Sequence, residues 1–501
     1  MANNPYVNKV VYGNNTLIDL TDATATADKI LQGYTAYGAD GQKLTGTATG
    51  GGDITVESLS VTQNGTYTAP TGKAYSPVSV NVSGGGGSSA GKKQINFIDY
   101  DGTIVESYTA TEWQSVTALP SNPSHTGLTA QGWNWTKAQI NAQLTAMPNG
   151  EVWVGQMYVT DDGKTRIYIH LEEGRLHPYL GICPNGTVVV DWGDNSATAT
   201  LTGTSLTTVK YADHEYANSG DYVITFTVSS GSFAFFGVAN TSHILTKDTT
   251  TTGQIHKVYS NAVQKIELGT GANIGSYAFN YCYSLSSITI PSSVTSIGTN
   301  AFRYCYSLAS VVIPSGVTSI GNGGEFYYCY SLVSVSIPGS VTGIGNSTFY
   351  YCYSLSSITI PSGITSIGSS MFRYCHSLAS VVIPSGVTSI GTNAFDSCFS
   401  LSSITIPSGV TSIGTNMFSS CCSLSSITIP SGVTSIAGGA FSSCYGMAEY
   451  HLLSTTPPTL SRTTAFSNIQ SDCVIYVPSA SLTTYKTASN WSTYASYMKG
   501  E

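Results

Sequence analysis

Leu285-Ser286-Ser287-Ile288-Thr289-Ile290-Pro291-Ser292-Ser293-Val294-Thr295-Ser296-Ile297-Gly298-Thr299-Asn300-Ala301-Phe302-Arg303-Tyr304-Cys305-Tyr306-Ser307 is a 23-residue unit, and near-copies of it recur about eight times between Ile255 and Leu453. Counted on cysteine, the copies fall at Cys282, Cys305, Cys329, Cys352, Cys375, Cys398, Cys421 and Cys444. Every interval is 23 except the 24 that contains the inserted glycine of Gly323-Gly324. A fixed period in the twenties is the mark of a solenoid, in which each turn buries its apolar face only against its neighbours. Alternation puts Ile288 and Ile290 inward and Ser287 and Thr289 outward on a short strand. Pro291 ends that strand, because it has no N–H to donate. Val294 and Ile297 form a second inward pair before Gly298, and Phe302, Cys305 and Leu308 at spacing three predict one short helical turn. At ~4.8 Å per coil, eight coils make a rod on the order of 40 Å long.

Charged residues are only 9% of the 501, against an average of about 25%. Solubility therefore has to come from Ser, Thr, Asn, Gly and the 33 tyrosines. With a net charge of −8 and scattered basic residues, a nucleic-acid partner is not expected. No apolar run reaches the ~18 residues of a membrane helix, so no membrane insertion is expected. The start Met1-Ala2-Asn3-Asn4-Pro5-Tyr6 has no basic residue and no apolar run, and does not read as a signal peptide. Eight of the eleven cysteines are one repeat position counted eight times. Neighbours in such a column have parallel Cβ vectors about 4.8 Å apart, too far for a disulfide and too linear for a tetrahedral metal site. They are expected to be buried thiols acting as small hydrophobes, with no metal and no cofactor. Cys183, Cys422 and Cys473 lie outside the column, and Cys422 is expected to be exposed.

With Ile-Pro, Val-Thr-x-Ile-Gly and Ala-Phe-x-x-Cys-x-Ser-Leu all recurring, residues 255–453 resemble the BspA-like leucine-rich repeats of bacterial surface proteins. The tail at 454–501, with Cys473-Val474-Ile475-Tyr476-Val477-Pro478, Tyr485-Lys486 and Trp491, resembles the C-terminal cap of that family. Upstream, Val10-Val11-Tyr12-Gly13-Asn14-Asn15 and Gly33-Tyr34-Thr35-Ala36 in residues 1–50 resemble N-terminal modules of tail proteins from phages of gut bacteria. A helix is expected at Ala27–Gln32 and a hairpin around Tyr37-Gly38-Ala39-Asp40-Gly41. Residues 53–83 form a second small β module with strands at 60–67 and 78–82, and 84–93 is a Gly/Ser linker.

Residues 94–150 read as a small α/β module, with Thr111 capping a first helix and a second helix at Lys137–Met147 stopped by Pro148. Its Trp113, Trp133 and Trp135 are either a sugar-binding platform or, as is commoner in so small a module, its core. Residues 151–237 read as a β-sandwich: Asp191-Trp192-Gly193-Asp194, His214-Glu215-Tyr216 and Gly220-Asp221-Tyr222 resemble a PKD domain, an immunoglobulin-like fold. Asp191, Asp194 and His214 are expected to bind turns and backbone rather than substrate or metal. A linker at 238–254 leads to the array. The expected class is mainly β: a leucine-rich-repeat solenoid preceded by an immunoglobulin-like sandwich and small β-rich modules. The domains before the array are expected to be independent of it.

Function shows where the repeats differ. Around the invariant cysteine the neighbouring columns contain Tyr281, Tyr283, Arg303, Tyr304, Tyr306, Tyr327, Tyr328, Tyr330, Tyr350, Tyr351, Tyr353, Arg373, Tyr374, His376 and Phe399. If Phe and Cys point inward, these point outward as a ribbon of rings, the chemistry of antibody paratopes. Neutral drift, or rings that merely cover the flank of the solenoid, would give a similar pattern. The outward strand positions, by contrast, carry small side chains. The resemblances imply a phage tail-associated receptor-binding protein on the virion, attached to other tail proteins by its N-terminal modules. Its partner would be a host-surface glycan or protein, and a homo-trimer is left open. The alternative is a bacterial cell-surface adhesin, and a carbohydrate-active enzyme comes third. No H-E-x-x-H, G-x-S-x-G elbow or phosphate loop is present.

Overall fold

The computed structural model describes residues 93–238 and 261–501, a few positions between them, and six short strands before residue 93. The chain forms two compact units, Met1–Ala90 and Gly91–Glu501. In the first, three antiparallel hairpins pair Lys9–Tyr12 with Asn15–Asp19, Thr35–Tyr37 with Lys43–Thr45, and Gly65–Tyr67 with Val78–Val80. The helix expected at Ala27–Gln32 and all but the last residue of the linker expected at 84–93 lie outside the described residues.

The second unit is mainly β and built on the solenoid. Leu308, Val311, Ile313, Val317, Ile320, Phe302 and Cys305 of one coil are all fully buried, as the pattern requires. Strands stack in parallel and in register, Ser310–Val312 on Ser334–Ser336 and Ser426–Ile429 on Glu449–Leu452. Phenylalanines from Phe279 to Phe466 stack through the centre at 5.4–5.6 Å between rings. Phe466 shows that the cap begins with one further coil: Thr459–Leu460 pairs with Ser435–Ile436 before the regular cap starts.

The helical turn expected around Phe302 and Cys305 is not there. The residue before each cysteine is instead left-handed, with φ of 60–66° at Tyr281, Tyr304, Tyr328, Tyr351 and Tyr374 and 58–61° at Ser397, Ser420 and Ser443. A second left-handed column runs through Asn300, Ser347, Ser370, Asn393 and Asn416. Each such non-glycine residue costs about 1–2 kcal/mol. What offsets it is the direction of the freed amide, which reaches the next coil: Tyr304 N–H donates to Tyr327 O and Tyr328 N–H to Tyr350 O, both at 2.8 Å.

Residues 93–160 form a four-stranded sheet of β1 (Ile95–Ile98), β2 (Ile104–Tyr108), β3 (Leu128–Trp133) and β4 (Val152–Thr160), in the order β2-β1-β4-β3. Helices α1 (Ala110–Ser115) and α2 (Lys137–Ala146) accompany it. The cap of α1 is Thr109, not Thr111, because Glu112 sits three residues on and closes a capping box. β4, placed by sequence in the sandwich, belongs here: it pairs in parallel with β1 and antiparallel with β3.

This module is not independent of the array; it lies on the strand face. The Asn134 amide donates to Ile313 O at 2.9 Å and Ser336 O at 3.2 Å, and accepts from Gly155 N–H at 2.8 Å. The Trp135 indole donates to Ile337 O at 2.8 Å, and Gln143 bridges Ile360 O and Ser362 N–H at 2.8 and 2.7 Å. Gly155 is where β4 passes closest, since a Cβ there would meet Val312 at 2.6 Å. The strand hydroxyls expected to face solvent are therefore buried in these coils, Ser310, Ser336 and Thr359 among them.

Residues 165–238 hold β5 (Thr165–Leu171), β6 (Tyr179–Asp191), β7 (Ala199–Thr204), β8 (Lys210–Asp213) and β9 (Gly220–Phe235). The ladder runs β7-β6-β9-β5 and continues without a break into β10 (Val263–Glu267) and β12 (Ser287–Thr289) of the solenoid. β11 (Ala272–Ile274) pairs in parallel with β9. One hydrophobic core extends from Ile167 to Met498.

At the far end, Glu449–Leu452, Val474–Val477 and Met498–Gly500 close the stack in parallel. His451 lies between Glu501 at 2.9 Å and Glu449 at 3.3 Å. Burial opposes its charge, but these two hydrogen bonds prevail and raise its pKa above the ordinary imidazole value.

Two outcomes follow. Asn134→Leu orphans the Gly155 amide and the Ile313 carbonyl, at roughly 1–3 kcal/mol for each buried group, while Ser336 O keeps the Ile313 N–H. Hydrogen exchange should then rise both in 93–160 and in the coils around Ile313 and Ser336; a change on one side only refutes the interlock. For His451, a folded pKa above the unfolded value of about 6.5 means its contribution is complete below that pH and fades as pH rises through the folded pKa. Melting temperature should therefore fall across neutral pH, and His451→Gln should flatten that part of the slope.

Candidate functional site

All fifteen sequence-selected residues come together on one flank of the solenoid. Tyr281, Tyr304, Tyr328, Tyr351 and Tyr374 stack in one ladder with ring centroids 4.4–4.9 Å apart. Tyr283, Tyr306, Tyr330, Tyr353, His376 and Phe399 stack in a second at the same spacing. Between the two, rings of the same coil meet edge to face at 5.5–6.2 Å. Tyr327 and Tyr350 stack at 4.6 Å beside the first ladder. Arg303 lies over Tyr304 and Tyr327, at 4.8 and 4.9 Å, and Arg373 over Tyr374 at 4.8 Å. Asp396, which sequence reasoning passed over, pairs with Arg373 at 2.7 Å and leaves that end of the ribbon neutral. Its signal was present: an acid one coil after an arginine in the same column.

The stacking decides what the ribbon offers. Interior ring faces are taken by neighbouring rings, so edges and hydroxyls meet solvent. Phe399, 42% exposed, ends its ladder with its ring in clear contact with water, and Tyr445, two coils on in the same column, is 56% exposed. Burial pushes the Tyr306, Tyr330 and Tyr350 phenols up to about 12, so at neutral pH their hydroxyls stay protonated and both donate and accept. His376, sandwiched between Tyr353 and Phe399, is held below its ordinary pKa by burial and is neutral.

The other candidates disperse into structure. Trp113 and Trp133 pack on Phe97 in the core of the 93–160 module, and Trp135 faces the array. They form no common platform. His214 bonds Asp194 at 2.7 Å and stacks on Trp192, while Asp191 and Asp194 accept from the Gly193 and Ser196 amides. No group of three or more metal-ligating side chains occurs among the described residues.

The cysteine column is buried and unbridged, but its members are not mere hydrophobes. Each thiol from Cys305 to Cys444 donates to the carbonyl of the phenylalanine 26 or 27 residues earlier, at 3.1–3.3 Å. Desolvation raises these thiols, well above the ordinary value for Cys305, Cys352, Cys398 and Cys421, so they are inert in the folded state. Cys422, in the outer ring column, is partly exposed. Alkylation of native protein should therefore label Cys422 first and leave the ladder untouched, whereas denaturation without reductant should expose all eleven thiols. Linked peptides such as Cys305 with Cys329 would refute it.

Comparison with known proteins agrees with this geometry. Residues 222–324 and 322–448 match the profile of the BspA type leucine rich repeat region, in six copies. Among solved structures, a leucine-rich repeat protein from Bacteroides ovatus is similar at 25% identity over 46% of this chain and 63% of that one, with a TM-score of 0.33. The chain thus spans a little under two thirds of that relative. The leucine rich repeat protein of T. pallidum is 30% identical over 37% of this chain and 83% of its own, with a TM-score of 0.29. A leucine rich cell surface protein from Faecalibacterium prausnitzii is 26% identical over 50% and 89%, with a TM-score of 0.25. No curated protein sequence matches. The parallel coils, the phenylalanine ladder and the repeat profile lead to one conclusion: the solenoid of this chain belongs to the BspA-type leucine-rich repeat family.

Proposed function

We propose that this is a surface-displayed recognition protein of the adhesin type, and that its array presents the tyrosine ribbon to a glycan or protein on a target cell. The observation that carries the reading is the pair of ring ladders. They set a row of protonated hydroxyls and aromatic edges along a rigid backbone whose sequence varies mainly beside the invariant cysteine. Rigid amphipathic rings flanked by arginine are the side chains on which binding energy concentrates. With interior faces occupied, a ligand is held by hydrogen bonds to phenol hydroxyls rather than by face stacking. The family match supports the adhesin reading.

A second reading, display on a phage tail, draws on the resemblance of residues 1–50 to tail modules and on the column of reduced thiols, which suits assembly in a reducing cytoplasm. In it, the first unit attaches the chain to other tail proteins and the immunoglobulin-like segment serves as spacer. Protein mass spectrometry of purified virions against washed cell envelopes separates the two.

The ribbon itself is tested by Tyr→Phe rather than Tyr→Ser. Serine would remove stacks worth about 0.5–1.5 kcal/mol per pair beyond their burial and confuse folding with binding. Changing Tyr328, Tyr330, Tyr351 and Tyr353 to Phe keeps the stacks and deletes the hydroxyls. The melting profile should hold while adsorption of labelled protein to a panel of intact bacterial and epithelial cells falls at least about tenfold, the equivalent of one good hydrogen-bonded contact. Undiminished adsorption moves the site elsewhere.

A further inference from the structure

The strand face of the array is covered in its first half and open in its second. Ser310, Ser336 and Thr359 are buried under residues 93–160, Ser380 and Val382 are half-buried, and Ser403, Thr405, Ser426 and Thr428 are exposed. The covering stops at the end of α2. There the turn from Ala146 to Glu151 forms one wall of a groove of about 800 Å³ whose floor is the open strand face and whose far end is Leu453, 49% exposed.

The covered half shows what this face binds. Where the next coil also carries proline, the carbonyl of the isoleucine before proline is left out of the ladder, because that proline has no N–H to donate to it; Ile429 is the exception, since Leu453 N–H reaches it at 3.1 Å. The module supplies donors to three successive carbonyls: Asn134 to Ile313, Trp135 to Ile337 and Gln143 to Ile360. The next two equivalents, Ile383 and Ile406, line the groove and receive no hydrogen bond from any described residue. Their coils repeat the same Ile-Pro-Ser-Gly-Val sequence, so the same acceptors recur one coil rise apart, ~4.8 Å.

We propose that this open strand face, from Ser380 to Thr428, is a second docking groove, for a neutral polypeptide segment that brings side-chain amide or indole donors to the Ile383 and Ile406 carbonyls. The occupant continues the interface that the chain already makes with itself. A polypeptide fits better than a glycan: the floor of Ser, Thr, Val and Ile side chains carries no aromatic ring on which a sugar would stack, and the known occupants are Asn, Gln and Trp side chains. The groove lies on a different face from the tyrosine ribbon, and the inference does not depend on the ribbon's role. Its volume falls within the roughly 300–1,000 Å³ usual for ligand clefts.

The probe is a fluorescently labelled peptide of the chain's own covering segment, Gln131–Met147, titrated into the full-length protein by anisotropy. It should bind saturably. Thr405→Arg, and separately Thr428→Arg one coil on, should each weaken it at least about tenfold while leaving the melting profile unchanged, since both positions are exposed. The same peptide with Asn134→Leu and Gln143→Leu should lose affinity by a similar factor, which separates amide donation from apolar collapse. Absence of binding, or binding indifferent both to the groove arginines and to the peptide amides, overturns the proposal. So does equal or tighter binding of maltohexaose in the same assay.

Discussion

Most side chains in the array stack on a near-copy of themselves, and this self-stacking governs what the sequence contains. A parallel, in-register solenoid places equivalent residues ~4.8 Å apart. At that distance phenylalanine on phenylalanine and tyrosine on tyrosine attract, and a thiol finds the carbonyl of a neighbouring coil. Like charges repel. A column of lysines or glutamates would work against its own fold, so the flank and strand face are written in Ser, Thr and Tyr, and the chain has 9% charged residues. The two ribbon arginines, Arg303 and Arg373, stand three coils apart, and Arg373 meets Asp396 in the following coil. Hydroxyls and phenols carry the solubility that charge supplies elsewhere.

The one irregular coil fits the same rule. Where other copies place Ala, Thr or Met, this coil buries Glu325. Gly321 gives the carboxyl room, since a Cβ there would clash with it; the inserted Gly323-Gly324 supplies a donor, Gly323 N–H at 3.2 Å, and Thr348 of the next coil donates at 3.3 Å. Desolvation raises the Glu325 pKa, with these hydrogen bonds opposing it. A lone acid in a column of neutral residues has no like neighbour to repel it.

Much of this is legible in the sequence. The period set the coils, the alternation at Ser287–Ile290 set which side chains turn inward, and the columns around cysteine located the ribbon. Three things are not. Spacing three at Phe302, Cys305 and Leu308 suits either a helical turn or a left-handed corner, and only the coil-to-coil amide bonds choose the second. The ladder from β5 to β12 unites segments separated by some 100 residues, and local patterns carry no trace of such pairings. The contact of 93–160 with the array was hidden because the residues that make it, Asn134, Trp135 and Gln143, look like ordinary surface or core positions of a small module. Its clue on the other partner was blandness itself: serine and threonine on the strand face are small enough to let a second layer approach.

That layer also sets where the array can change its length. Tandem units this similar are prone to gain and loss by slippage and unequal crossing-over. Residues 93–160 touch the coils from Ser292, whose amide donates to Gln131, to Ser362, held by Gln143. A coil inserted or deleted between those points would shift one set of contacts against the other by a full coil rise and break the bridge. Beyond Ile383 no hydrogen bond from residues 93–160 reaches the coils among the described residues, and a copy more or fewer there leaves the hydrogen bonds of the module intact. The bridge thus acts as a ruler on the first half of the solenoid and leaves copy number in the second half free to drift.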